Sequence, residues 1–483
     1  MTNNRPNLVF IFPDQFRQQA IGCMGQDPVV TPNLDRLASE GLVLTHAISN
    51  FPVCSPYRAM LFTGQYPFTN GVYGNCYNKT ASLGIELRPE SCCFSDVLHN
   101  AGYNCGYIGK WHLDAPREDH IPFTQGWRGK PGVGTYWDAY TPPGPRRHGF
   151  DFWYSYGCCD QHLTPHYWEG NAPVDQRIDI NEWSVKHETD VAVNYIRNTG
   201  GRYRNPSRPF ALFVAYNPPH TPFAQIPPEY LEHYAGISPE DLLNRPNFCA
   251  DGKGGAALEH VRNYFAAVTG IDENVGHILN ALEGEGLRED TIVVFTADHG
   301  EMMGSHNRMH KNVWYDESML VPFIIRWPRR INPGRDDLLL SAPDVMPSLL
   351  ALMGQRSAIP ETIEGRDYSG IFLGEPVDRP NSAFYLYVDP MASASKGARG
   401  IRTHDHTFVI QKQDRSETVL LYDNQSDPYQ LQEISSTHPE IVQDLRGELM
   451  TWLRRTADPW ITQTEPGRSA SLVADSPENH RRQ

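Results

Sequence analysis

An α/β fold, built on a large and mainly parallel sheet sandwiched by helices, is predicted by two features of the sequence. Short apolar runs of strand length alternate along most of the chain with stretches of helical periodicity. The breaks between them fall at Thr-Pro, Gly and Pro-Gly punctuation, which ends one element and starts the next. A length of 483 residues, 40% of them hydrophobic, accommodates one large α/β unit with an appendage, or two to three average domains.

Leu8-Val9-Phe10-Ile11-Phe12 is a continuous apolar run and predicts a first strand over 7–12. A helix over 33–40 follows Thr31-Pro32 and stops at Gly41, and a second over 95–100 stops before Gly102. Strands are predicted over 103–108, 209–216, 291–296 and 321–327, and helices over 183–197, 256–287 and 342–353. Sheets of this kind bind ligands beyond the carboxyl ends of their strands. Four predicted strands are followed at once by polar residues: Asp14-Gln15, Lys110-Trp111-His112, the stretch 217–220, and Asp298-His299. From about residue 365 the pattern changes to short strands over 383–388, 407–410 and 419–422, a small antiparallel sheet, closed by an amphipathic helix over 441–455. The predicted organisation is therefore a catalytic domain over 1–365, a C-terminal α+β subdomain over 366–462, and a flexible tail over 463–483.

A formal charge of -15 repels phosphate backbones and anionic membrane surfaces, which argues against a nucleic-acid binder. The apolar runs are far shorter than the roughly 18 residues needed to cross a bilayer. Nine cysteines form no C-x-x-C pair and no zinc ladder, and residues 1–6 carry no export signal, so free thiols and a cytoplasmic location are expected.

Cys54 lies at the start of a predicted helix in Cys54-Ser55-Pro56-Tyr57-Arg58, followed by Leu61-Phe62-Thr63-Gly64. A lone buried cysteine is usually structural. The pattern C-x-P-x-R with Leu-x-Thr-Gly, however, resembles the signature of type I formylglycine-dependent sulfatases, members of the alkaline phosphatase superfamily. Six further segments resemble that family: Asp14-Gln15 and the stretch 296–301 at its metal ligands, 109–113 and 217–223 at active-site residues, 304–318 at a second lysine, and 421–428 in its C-terminal hairpin.

The resemblance implies an alkaline-phosphatase-like fold and hydrolysis of a sulfate monoester on a mono- or oligosaccharide. It implies that a maturation enzyme converts Cys54 to formylglycine, whose hydrate is the nucleophile. Arg58, Lys110 and Lys311 would stabilise charge, and His220 and His112 would serve the leaving alcohol and collapse of the sulfated intermediate, in either order. Asp14, Gln15, Asp298 and His299, with the Cys54-derived group, would hold one divalent metal. Asp14, Gln15 and Asp298 are hard oxygen donors suited to Ca²⁺ first, and to Mg²⁺ or Mn²⁺, while His299 softens the set and keeps Mn²⁺ or Zn²⁺ open.

Gln15 and His299 depart from the commoner Asp and Asn of the family and occur in relatives resembling phosphonate monoester hydrolases. A phosphonate or phosphodiester hydrolase, or a silent glycan-binding homologue, are the alternative readings. Asn307 and His310 are candidates for shaping specificity. Six of ten tryptophans (111, 127, 137, 153, 168, 183) cluster in one region, either as sugar platforms or as packing of an insert.

Overall fold

The first apolar run forms the centre of the protein in the computed structural model, which describes residues 5–124, 136–413 and 416–462. Residues 1–4, the predicted tail 463–483 and Trp127 lie outside the described residues. The strands are β1 (Asn7–Ile11), β2 (Leu42–Ile48), β3 (Asn104–Lys110), β4 (Phe152–Tyr156), β5 (His166–Glu169), β6 (Ile178–Asp179), β7 (Phe210–Ala215), β8 (Thr291–Thr296), β9 (Leu320–Val321), β10 (Phe323–Arg326), β11 (Gly334–Ser341), β12 (Ala383–Asp389), β13 (Ser393–Arg402), β14 (His406–Gln413) and β15 (Ser416–Asp423).

The large sheet has the order β11-β2-β10-β8-β1-β7-β3-β4-β5-β6, with β9 paired to β2. Its centre, β8-β1-β7-β3-β4, is parallel throughout, and β10 reverses direction to lie antiparallel to both β8 and β2. The central strands β1, β7 and β8 are buried almost throughout rather than alternating, because helices cover both faces. One set is Pro32–Glu40, Ser184–Arg197 and Ala256–Gly284; the other is Cys54–Thr63, Phe94–Asn100 and Ala342–Leu352. No described helix is long and apolar enough to cross a membrane.

The predicted strand over 321–327 is divided: Pro322, which has no N–H to give a ladder, separates β9 from β10. Strands β2, β4, β5, β6, β11 and β13 escape a reading by apolar runs. β11 opens with Gly-Arg-Asp-Asp and β13 with Ser-Ala-Ser-Lys, polar starts, and only the second half of each strand, 338–341 and 398–402, is buried. The C-terminal sheet is a four-stranded antiparallel meander, β12-β13-β14-β15. Helix Pro439–Arg455 closes it with Leu445, Leu449 and Leu453, four residues apart and buried on one face.

Candidate active site

The helix Cys54–Thr63 is buried along its whole length, which places its N-terminus, and Cys54 as its first residue, beneath the carboxyl ends of the parallel strands. Gly64 ends it at φ 66°, a left-handed turn that suits glycine. Phe62 on this helix packs against Trp111, Tyr107 and Phe213 with ring centroids 5.3, 6.1 and 5.4 Å away. Burying each such ring contributes about 1.5–3 kcal/mol, so the helix is fixed to the sheet rather than laid upon it.

Four strand ends then aim polar groups at Cys54. Asp14 leaves β1 with its N–H donating to the Tyr216 carbonyl (2.9 Å). Its carboxylate accepts from Lys110 Nζ (2.6 Å) and Arg58 Nη2 (3.4 Å), and Oδ1 lies 3.2 Å from His299 Nε2, 3.6 Å from Cys54 Sγ and 3.8 Å from Lys311 Nζ. Asp298, beyond β8, accepts from Arg58 Nε (3.2 Å) and Nη2 (3.1 Å) and from the Gln15 N–H (3.1 Å). Cys54 Sγ lies 3.4 Å from His299 Nε2 and 3.3 Å from Lys311 Nζ. Gly109 makes the approach of β3 possible, because a Cβ there would lie 2.3 Å from the Ala215 carbonyl at a φ of +96°.

The charges reshape one another. Burial pushes the Asp14 carboxyl up, but Lys110, Lys311 and His220 outweigh it and hold it well below the usual carboxylate range. Asp298 moves the other way, raised by burial and by the Asp14 charge beside it. Burial opposes protonation of His299, yet Asp298 wins and carries its pKa up to about 9. The Cys54 thiol is opposed by burial and Asp14, and Lys311, Lys110 and His299 still bring it well below its ordinary value.

The predicted residues Asp14, Gln15, Cys54, Arg58, Lys110, Asp298, His299 and Lys311 thus meet at one point. Asp14, Cys54, Asp298 and His299 offer ligand atoms within 4.8 Å of one another, a set of two carboxylates, an imidazole and a sulfur position that fits a divalent cation. Gln15 adds its amide oxygen, turned to Lys311 Nζ (3.0 Å) because its Nε2 donates to Glu301 Oε2 (2.5 Å). Gln15 and His112 both sit at positive φ, 64° and 54°, a strained backbone that persists where surroundings fix it.

The two predicted histidines border this cluster differently. His112 Nε2 meets the Cys76 carbonyl (3.1 Å), while its buried Nδ1 has no hydrogen-bond partner, and burial lowers its pKa. His220, in a segment with cis Pro218–Pro219 and Thr221–Pro222 bonds, places Nδ1 against the Thr221 carbonyl (2.8 Å) and Asp160 (3.4 Å). Burial and Lys311 oppose its proton, but Asp14 and Asp160 raise its pKa.

Of the two specificity candidates, His310 is half-exposed and stacks beside Phe223 (6.4 Å, 17°), whereas Asn307 is a loop clasp accepting from the Gly254 N–H (2.8 Å). Two supporting residues lie inside the motif stretches 217–223 and 296–301 without an assigned role, and a third lies outside them. Asn217 accepts from Lys110 Nζ (3.0 Å), Glu301 holds Gln15, and Asp160 backs His220. The signal for the first two was their place in those stretches, two residues beyond β7 and five beyond β8; Asp160 gave none.

A family model described as Sulfatase matches residues 6–355, and one of the N-sulphoglucosamine sulphohydrolase C-terminal region matches residues 304–455. The chain is 40% identical to an endo-4-O-sulfatase of Bacteroides thetaiotaomicron, across 95% of this chain and 94% of that one. It is 33% identical to an ulvan-active sulfatase of Formosa agariphila, across 88% and 76%. A solved Bacteroides fragilis structure, provisionally assigned as the sulfatase yidJ, superposes with a TM-score of 0.89 at 41% identity, covering 96% of this chain and 99% of that one. With a buried cluster of cations and metal-type donors around Cys54, and these matches over nearly its whole length, the chain belongs to the sulfatase family of hydrolases.

Proposed function

We propose that the protein hydrolyses a sulfate monoester carried on a saccharide, at the point where Asp14, Cys54, Asp298, His299 and Lys311 converge. The observation that carries this reading is Cys54 itself, at the N-terminus of a buried helix and within 3.4 Å of both His299 Nε2 and Lys311 Nζ. Conversion to formylglycine supplies a hydrated aldehyde at this position as the nucleophile. Asp14, Gln15, Asp298 and His299 hold the divalent metal, Ca²⁺ by the weight of oxygen donors, and bound metal supplies Lewis acidity toward sulfate oxygens.

This chain's own groups do the rest. Lys110, Lys311 and Arg58 surround the anion with fixed positive charge in a water-poor site, where each is worth more than at a surface. Asp298, whose pKa is raised, is suited to accept a proton from the nucleophile. His220, whose proton is held by Asp14 and Asp160, is the better acid for the leaving alcohol. His112, disposed to be neutral with Nδ1 unpartnered, is the better base for the later step. The substrate class rests on the two relatives whose names specify 4-O-sulfate and ulvan sulfate.

Mass spectrometry of the peptide carrying Cys54, from protein made in a host with the maturation enzyme, should show formylglycine. Turnover of an aryl sulfate should exceed that of the matching aryl phosphonate and vanish on chelation. A wholly thiol Cys54 in its native host, preference for the phosphonate, or full activity without metal would each overturn the proposal.

A further inference from the structure

The described tryptophans of the aromatic region divide sharply. Trp111, Trp153, Trp168 and Trp183 are buried in the core, while Trp137 is 38% exposed. Its indole stacks on Tyr77 with centroids 4.6 Å apart at 21°, which covers one face while the residue stays exposed to solvent.

That stack is joined to the active site by two links. The Trp137 ring lies 6.2 Å from the His112 ring, and His112 Nε2 meets the carbonyl of Cys76, the residue before Tyr77. The pair is also held rigidly. Tyr136 N–H donates to Asn78 Oδ1 (2.9 Å) and Asn78 N–H to the Tyr136 carbonyl (3.0 Å), so the chains bearing the two rings are clamped on one side. On the other side Asp138 accepts from the Cys158 N–H (2.9 Å) and pairs with His166 (2.7 Å). From the C-terminal subdomain, Pro390 at the β12–β13 turn packs on Gly74, where an added Cβ would lie 2.7 Å from its Cγ. The next residue, Met391, is 54% exposed.

We infer that Trp137, backed by Tyr77, is a sugar-stacking subsite that receives the apolar C–H face of the pyranose bearing the scissile sulfate. This rests on the saccharide sulfatase reading above. His112 borders the cluster at Cys54, and a saccharide whose sulfate is held there extends past that histidine to the neighbouring indole. A pyranose has one face of C–H bonds, which an exposed aromatic ring matches while leaving hydroxyls in water. An aryl sulfate ends at its single ring and depends less on such a platform for orientation.

The test compares Trp137→Ala and Trp137→Phe with the formylglycine-bearing wild type. The substrates are a 4-O-sulfated glycosaminoglycan disaccharide, a sulfated ulvan oligosaccharide and 4-nitrophenyl sulfate. Trp137→Ala should lower kcat/KM for a saccharide at least about tenfold, mainly through KM, and the aryl sulfate by less than threefold, with Phe restoring most of the loss. Equal loss on saccharide and aryl substrates would make Trp137 a support for His112 and overturn the subsite. Unchanged saccharide kinetics would overturn it as well. Wild-type turnover of the aryl sulfate alone would instead remove the saccharide reading, and the subsite with it.

Discussion

Arg58 and Arg399 are both completely buried and both paired to aspartate, yet only one belongs to a reactive centre. Arg399 pairs with Asp458, donates to the carbonyls of Tyr387 (2.8 Å), Ala398 (3.1 Å) and Ala394 (3.1 Å), and lies between the rings of Phe68 and Trp460. One cation meets one carboxylate and the remaining N–H groups find backbone. Around Arg58 the balance differs. Asp14 and Asp298 are shared among Arg58, Lys110, Lys311 and His299, and a thiol is held in their midst. Buried charge by itself therefore does not mark a site. A surplus of cations over carboxylates does, because it is neutralised only when an anion arrives.

The largest effect that tests this contrast is Asp14→Asn. It keeps the shape but leaves Lys110 Nζ without a carboxylate and weakens the donor set for the metal. Turnover of an aryl sulfate should fall by roughly 10³-fold or more, the scale of losing a group that both positions metal and organises charge. The change also leaves Lys110 charged and buried, at a cost of about 3–5 kcal/mol, so turnover is read on the folded fraction. Wild-type turnover of that folded fraction would make the cluster a structural ion network like that of Arg399.

Asp458→Asn should do the converse. It leaves Arg399 buried with its charge uncompensated, which costs about 3–5 kcal/mol. Urea unfolding should show that loss, while aryl sulfate turnover of the folded fraction changes little. A large change in turnover with unaltered stability would show that the C-terminal meander reaches the chemistry through more than packing.

Much of the charged floor was legible in the sequence because its residues follow strands whose apolar runs are continuous, and because Cys54, Pro56 and Arg58 sit in one short motif. The central strands were legible for the same reason, since burial on both faces demands unbroken apolar runs. The edge strand β11 and the inner strand β13 were not, since only the second half of each is buried and the polar residues of the first half hide the pattern. The mouth was harder still. Trp137 and Trp153 read alike in sequence, and only tertiary packing buries one and exposes the other. Asp160 pairs with His220 across sixty residues of chain, a contact that no local spacing encodes.

The smallest effect on turnover concerns a third buried pair, His166 and Asp138, which lies beside the platform rather than in the charged floor. Burial opposes the imidazolium, but Asp138 at 2.7 Å outweighs it and carries the His166 pKa from 6.5 up to about 10. The folded protein therefore binds this proton more tightly than the unfolded chain. The stability it gives is fully present below pH 6.5, declines as pH rises, and is gone above about pH 10. By linkage, a shift from 6.5 to about 10 is worth about 5 kcal/mol across that range. In urea unfolding followed from pH 6 to pH 10, wild type should lose that much more stability than His166→Gln, which carries no proton to lose. Identical slopes in the two proteins would mean that His166 is neutral throughout. The loop carrying Trp137 would then be anchored by the Asp138 bond to the Cys158 N–H and by the Tyr136–Asn78 clamp rather than by charge.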